Sequence, residues 1–193
     1  MTFAVWFTGL PGSGKTVIAE KAAAILNQHN YHIKILELDK IRKIITPDPT
    51  YSDEERNIVY ASLAYMAYLL TESGINVFID ATANKQQYRD IARGLIPNFA
   101  EAYIECPLEL CIEREAGRKN AYAPPDIYKK STDKNATVPG VNLAYEAPRN
   151  LGIHINSREN SIEECAKQAA DRISELFSTA KLRFAETSLT PDC

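Results

Sequence analysis

Gly9-Leu10-Pro11-Gly12-Ser13-Gly14-Lys15-Thr16 is the stretch that decides the fold, and three of the chain's eight glycines fall within it. It matches G-x-x-x-x-G-K-[ST]. The glycines let successive backbone N–H groups turn inward as an anion cradle, and a helix starting there adds partial positive charge. Lys15 supplies an ammonium for β- and γ-phosphates, and Thr16 can ligate magnesium. That chemistry requires a strand before the loop and a helix after it. Ala4 to Thr8 is a short apolar run of the kind buried on both faces of a parallel sheet, and Lys15 to Gln28 carries alanines with Ile18, Ile25 and Leu26 at helical spacing.

Working outward, strand and helix signals alternate. Ile33 to Leu38 reads as a second strand, Asn76 to Ile79 as a third ending at Asp80, Glu101 to Glu105 as a fourth and Gly152 to Asn156 as a fifth. Ser52 with Glu55 three residues on forms a capping box, opening a helix to about Gly74 in which Ile58, Ser62, Tyr65, Met66 and Leu69 share a face. Helices are also expected over Lys85 to Leu95, Leu108 to Ala116 and Ser161 to Leu182. Such alternation predicts a three-layer α/β P-loop NTPase fold, a parallel five-stranded sheet with helices on both faces. One interruption stands out: Gly117 to Pro148 holds four of the ten prolines and little periodicity, a loop long enough to suggest a functional lid. The expected organisation is one domain over 1–182, with the lid at about 117–148, and a tail over 183–193.

Composition narrows the function. The 193 residues are 45% hydrophobic and 24% charged, ordinary globular values, so the chain is neither wholly disordered nor fibrous. A net charge of −3 argues against a general nucleic-acid coat or a polybasic membrane binder. No apolar run approaches a membrane span, and the N-terminus lacks a basic leader, so a cytoplasmic protein is expected. Cys106, Cys111, Cys165 and Cys193 show no metal-binding spacing and are expected to stay reduced. Cys106 and Cys111 read as small packed hydrophobes, Tyr60, Tyr65 and Tyr68 as helix packing, and His154 as a core or edge histidine.

The loop alone leaves three classes open: a kinase, an NTPase switch, and an ATP-binding module without catalysis. The N/T-K-x-D guanine motif of switch GTPases is absent. Asp39, beyond the second strand, favours a kinase, because ligands of open α/β sheets bind at the carboxyl ends of strands and a carboxylate there can take a hydroxyl proton. Arg42, on the same helical face, could clamp an anionic acceptor. A helix-capping Asp with a solvated Arg is the alternative. Asp80 reads equally as a magnesium-shell carboxylate or a cap.

Trp6-Phe7-Thr8-Gly9-Leu10 leading into the phosphate loop resembles the opening of adenylylsulfate (APS) kinases. Leu36 to Arg42 is similar to their L-D-G-D-N-x-R, Tyr51 to Arg56 to F-S-x-x-D-R, and Cys106 through Arg114 to P-L-E-x-C-x-x-R. Ile127-Tyr128-Lys129-Lys130 resembles L-Y-K-K, and Tyr145-Glu146-Ala147-Pro148 the family's Y-E-x-P. The resemblance implies transfer of a phosphoryl group from Mg-ATP to the 3′-hydroxyl of adenosine 5′-phosphosulfate, a step of sulfate assimilation, in a homodimer with a small-molecule acceptor and no nucleic-acid or membrane partner. It assigns Asp39 and Lys15 to catalysis. Gly9, Gly12, Ser13, Gly14, Lys15, Thr16, Arg114 and Arg118 go to the nucleotide and Thr16 to magnesium, to which the strand-end position of Asp80, rather than the resemblance, adds Asp80. Arg42, Arg56, Asn57, Lys129 and Lys130 join Asp39 at the acceptor.

The departures fall in the acceptor half. Val59 and Tyr60 stand where the family has an arginine pair, Thr82-Ala83-Asn84 replaces I-S-P, and Val138-Pro139-Gly140-Val141-Asn142 replaces a segment opening on phenylalanine. Another hydroxyl acceptor, of the nucleic-acid 5′-end or aminoacyl-tRNA type, is therefore a second reading. An ATP-binding regulatory module is a third.

Overall fold

The computed structural model describes residues 2–117, 126–132, 136–150 and 152–187, with side chains as far as 178. Five parallel strands form one sheet: β1 (Ala4–Thr8), β2 (Ile33–Glu37), β3 (Asn76–Asp80), β4 (Phe99–Glu105) and β5 (Ile153–Asn156). Their order across the sheet is β2-β3-β1-β4-β5. β1 lies between β3 and β4, with Ala4 opposite Val77 on one side and Phe99 on the other. Both β1 and β3 are buried along their whole length, as the apolar run of β1 and the apolar centre of β3, Val77 to Ile79, lead one to expect.

Alternation along β1 sends successive side chains to opposite faces. Val5 and Phe7 join Ile18, Ala22 and Leu26 of α1 (Lys15–Gln28) and Ala169 and Ile173 of α6 (Ile162–Thr187). Ala4 and Trp6 face the other layer, α3 (Asp53–Glu72) and α4 (Gln86–Leu95), through Leu63, Ala67 and Tyr88. Because every crossover is helical, all five strands point the same way and their carboxyl ends share one rim. The phosphate loop, Glu37 and Asp80 all sit there.

Three local expectations are corrected. Leu38–Ile45 forms a short helix, α2, directly after β2. The apolar face assigned to α3 is the outer one: Ile58, Tyr65 and Leu69 are exposed, while Arg56, Val59, Tyr60, Leu63, Ala64, Ala67 and Thr71 turn inward. Small Ala64 and Ala67 let the helix approach the sheet closely. The capping box forms only in half, since Ser52 Oγ accepts from Glu55 N at 3.2 Å while the Glu55 carboxylate turns to Thr50 and Arg42. At Ser161 the box is complete, with Ser161 N donating to Glu164 at 2.8 Å.

One buried polar network has no periodic signature in the sequence. Arg89 and Glu101, both without side-chain exposure, pair at 2.6 Å. Arg89 also donates to the Ala83 and Glu146 carbonyls, and Gln86 N at the start of α4 donates to the Glu146 carboxylate at 2.6 Å. The return segment around Tyr145 is thereby fixed to the rim of the sheet.

Candidate active site

In the phosphate loop, backbone freedom is a geometric necessity at two positions. Gly12 has φ +81°, and a Cβ there would lie 2.3 Å from the Cys111 carbonyl oxygen; Gly9 would meet the Ile104 carbonyl at 2.4 Å. Gly14 precedes α1 as its left-handed cap. Lys15, nearly buried, donates Nζ to the Leu10 carbonyl at 2.8 Å. Ser13 Oγ is buried without a hydrogen-bond partner among the described residues. A buried hydroxyl with no partner, inside a cradle that side chains would fill, fits phosphate oxygens.

Two cavities meet at this loop. The larger, about 760 Å³, runs along the loop and the first turn of α1 to Arg114, Ser157, Asn160 and Cys165. Arg114, on α5 (Leu108–Ala116), is held by Ser157, donating to its carbonyl at 2.8 Å and its hydroxyl at 3.2 Å. Glu37 and Lys40, paired at 2.5 Å, line the same space. The smaller cavity, about 330 Å³, is walled by Asp39, Arg42, Tyr51, Arg56, Tyr60, Thr82, Lys130 and Val138. Among the described residues, Lys15 and Thr16 alone line both.

Charge is distributed unevenly around the smaller cavity. Arg42 is paired with Glu55 at 2.5 Å and lies 5.1 Å from the Tyr51 ring centroid. The Glu55 carboxyl is pushed up by burial, but the Thr50 hydroxyl and amide and the Arg42 guanidinium outweigh this and hold it below the ordinary value. Arg56 is buried, and its hydrogen bonds go to neutral acceptors: Tyr51 O at 3.0 Å, Thr137 O at 2.9 Å and Oγ1 at 3.1 Å, and Asn84 Oδ1 at 3.5 Å. No carboxylate partner of Arg56 is present among the described residues. A buried guanidinium so placed favours an anion beside it.

Asp80, at the end of β3, is buried and pushed up to about 6. Burial is the main cause; Lys15 and a hydrogen bond with Thr16 pull it down, while Asp39 and Glu37 push it up. Oxygen donors from Thr16 and Asp80 beside a phosphate cradle suit a hard divalent cation that keeps much of its water. No group of three metal-binding side chains occurs among the described residues.

Of the residues singled out from the sequence, the structure gathers Gly12, Ser13, Gly14, Lys15, Thr16 and Arg114 around the larger cavity and Asp39, Arg42, Arg56, Lys130 and Asp80 around the smaller. Gly9 packs beneath the loop. Asn57 is exposed on the outer side of α3, near Gln87, and does not reach the cavity. Lys129 is also exposed and pairs with Asp126 at 2.6 Å. Arg118 lies outside the described residues. Sequence reasoning did not place Tyr60, which lines the smaller cavity, or Asn84, which touches Arg56 there; their signal was their place among the departures. His154, an exposed edge histidine, pairs with Glu105, and Cys106 and Cys111 are buried thiols.

Two described parts of the stretch expected to form a lid are tied to the phosphate loop's surroundings. Tyr128 Oη donates to the Pro11 carbonyl at 2.7 Å, and Tyr145 Oη bonds Thr8 Oγ1 at 2.8 Å. Val138 and Pro139 occupy the wall where the resembled family's segment begins with an aromatic ring.

A parallel sheet whose phosphate loop separates a nucleotide-sized cavity from a smaller one with a carboxylate and a buried cation defines a P-loop phosphotransferase. Comparison with known proteins specifies which. The adenylylsulphate kinase family model matches residues 1–156. A probable adenylyl-sulfate kinase of Pseudomonas aeruginosa is 32% identical over 89% of this chain and 77% of its own length. The adenylyl-sulfate kinase of Rippkaea orientalis is 30% identical over 92% and 94%. The solved structure of the Mycobacterium tuberculosis APS kinase CysC, in complex with AMPPNP and APS, superposes with TM-score 0.77 at 27% identity, covering 90% of this chain and 98% of that one. The chain belongs to the adenylylsulphate kinase family, and it is an ATP-dependent kinase.

Proposed function

We propose that the chain transfers the γ-phosphoryl group of ATP to the 3′-hydroxyl of adenosine 5′-phosphosulfate. The observation that carries this reading is the meeting of two cavities at Lys15 and Thr16, with Arg56 buried in the smaller one beside only neutral partners. In it, Asp39 accepts the proton of the attacking hydroxyl. Lys15 leaves the Leu10 carbonyl for the transferring phosphate, and the loop amides and Ser13 hold the phosphate oxygens. Thr16 and Asp80 would hold magnesium, directly or through water; when bound it neutralises charge on the β- and γ-oxygens. Arg42 and Arg56 hold the acceptor's anionic group, Lys130 reaches it from the lid, and Arg114 borders the base of ATP. Asn57 and Lys129 take no part in this reading.

The test is ADP release from Mg-ATP with APS, beside a control without acceptor. APS-dependent turnover at micromolar APS is expected, and ATP binding without it would refute the reading. We also place the chain in the cytoplasm, which the buried, unbridged thiols of Cys106, Cys111 and Cys165 favour. A homodimer would cover the outer face of α3; Ile58→Glu should then yield a monomer in light scattering, and an unchanged mass would refute that contact.

A further inference from the structure

Tyr60 stands at a position where the resembled family carries a cation, and the fold gives the two residues of that departure opposite fates. Val59 is sealed in the core under α3. Tyr60, one residue on, is equally buried from solvent yet lines the acceptor cavity. Its ring is locked: it stacks on Tyr88 at 4.5 Å between centroids and packs against Trp6 at 6.2 Å.

The hydroxyl is oriented as well as placed. It accepts a hydrogen bond from Ala83 N at 3.2 Å, so the oxygen is fixed through a lone pair and its own hydrogen is left for another partner. No acceptor for that hydrogen is present among the described residues. The peptide that does the fixing is itself held firmly. Ala83 has φ +41°, a left-handed conformation strained for a residue with a side chain, and its carbonyl is gripped by the fully buried Arg89. Strain of this kind persists where the surroundings over-determine it, and here they set the direction of one phenolic O–H.

The charges nearby say what that hydrogen meets. Arg42 is offset by Glu55, whereas Arg56 touches neutral acceptors only. Among the described residues on its wall, Arg56 is a buried cation with no carboxylate partner, and Tyr60 adds a neutral donor beside it, a set that suits an oxyanion. Burial keeps the phenol protonated, raising it above its ordinary value despite the pull of Arg56 and Arg42.

We propose that Tyr60 is a specificity-determining residue of the acceptor site, donating its hydroxyl hydrogen to an oxygen of the acceptor's anionic group. This rests on the phosphosulfate-bearing acceptor proposed above, the group being the phosphosulfate.

The test compares Tyr60→Phe with Tyr88→Phe, which removes a hydroxyl from the stacked neighbour outside the cavity. Steady-state KM for APS and for ATP, calorimetric APS binding and Tm are measured for both variants and the wild type. Tyr60→Phe should raise the APS KM and weaken APS binding about 10-fold or more, the effect of one lost hydrogen bond to a charged group, with the ATP KM within about twofold. Tyr88→Phe should leave the APS KM unmoved. A Tyr60→Phe enzyme with a lower Tm or kcat but an unmoved APS KM would reduce Tyr60 to packing and overturn the inference. An equal rise in KM from Tyr88→Phe would do the same. A wild type that binds APS without turning it over would sink the proposed reaction alone, and the binding comparison would still decide the role of Tyr60. A wild type that neither binds nor turns over APS would overturn both.

Discussion

Asp80→Asn is the perturbation that separates stability from catalysis most sharply. The Asp80 carboxyl goes from an ordinary 3.8 to about 6 in the folded chain, chiefly through burial. Below the lower value it is neutral in both folded and unfolded states, and it contributes nothing. Between the two values only the folded state holds the proton, so stability falls as pH rises. Above about 6 the folded state carries the full cost of a buried charge, which for this displacement is about 3 kcal/mol. Asparagine keeps the shape and cannot ionise. Without ligands, the variant should match the wild type near pH 4 and exceed it by up to about 3 kcal/mol at pH 7.5, or roughly 6–12 °C in Tm for a domain of this size. Urea melts of both proteins from pH 4 to 8 measure the difference, in which titrations common to both cancel. A difference that is flat across pH, or larger at the acid end, would refute the reasoning. Turnover should move the opposite way: if Asp80 serves the metal shell, the stabilised variant loses activity, a trade expected where a site stores an unfavourable charge.

Asp39→Asn should retain ATP affinity and lose transfer by about 10²-fold or more, as removal of a general base does; an unchanged single-turnover rate would return Asp39 to a capping role. Gly12→Ala forces a Cβ to 2.3 Å from the Cys111 carbonyl at a left-handed φ, at a cost of about 2–4 kcal/mol from backbone strain and overpacking. Thermal melts and a nucleotide titration should both weaken, and wild-type values in both would contradict the close approach. Glu101→Gln leaves Arg89 buried beside a neutral amide and should cost about 3–5 kcal/mol in denaturant unfolding; a loss below about 1 kcal/mol would mean that the carbonyls around Arg89 suffice.

The frame of the fold was legible because its signals are local. β1, the glycines and α1 follow one another without a gap, and each strand run is bounded by polar or glycine residues. The face of α3 was not legible for a physical reason: the helix carries apolar residues on both sides. Ile58, Tyr65 and Leu69 are the bulkier set, yet Val59, Leu63, Ala64 and Ala67 pack more closely against a sheet. Bulk marks hydrophobicity, but closeness of approach decides which side goes in. α2 went unassigned because eight residues give too little periodicity, although Asp39 and Arg42 still line one cavity as their spacing implied. Asn57 and Lys129 show the limit of transferring motif positions, since a neighbour in sequence on a helix or turn can face away from the site. The Arg89–Glu101 pair, the Asn84 amide and the Glu146 cap join segments 12 to 60 residues apart, and no single-sequence pattern announces such partnerships.

The two tyrosine anchors carry a thermodynamic consequence. Tyr128 ties one part of the long segment between α5 and β5 to the Pro11 carbonyl, inside the phosphate loop, and Tyr145 ties another to Thr8 at its root. A nucleotide that resettles the loop would therefore be felt by the segment that carries Tyr128 and Tyr145, and an acceptor that shifts that segment would be felt by the loop through the same two hydroxyls. Whatever factor ATP imposes on the affinity for the acceptor, the acceptor must impose on the affinity for ATP, because linkage between two sites is reciprocal. The order in which the substrates arrive is then a matter of rates alone.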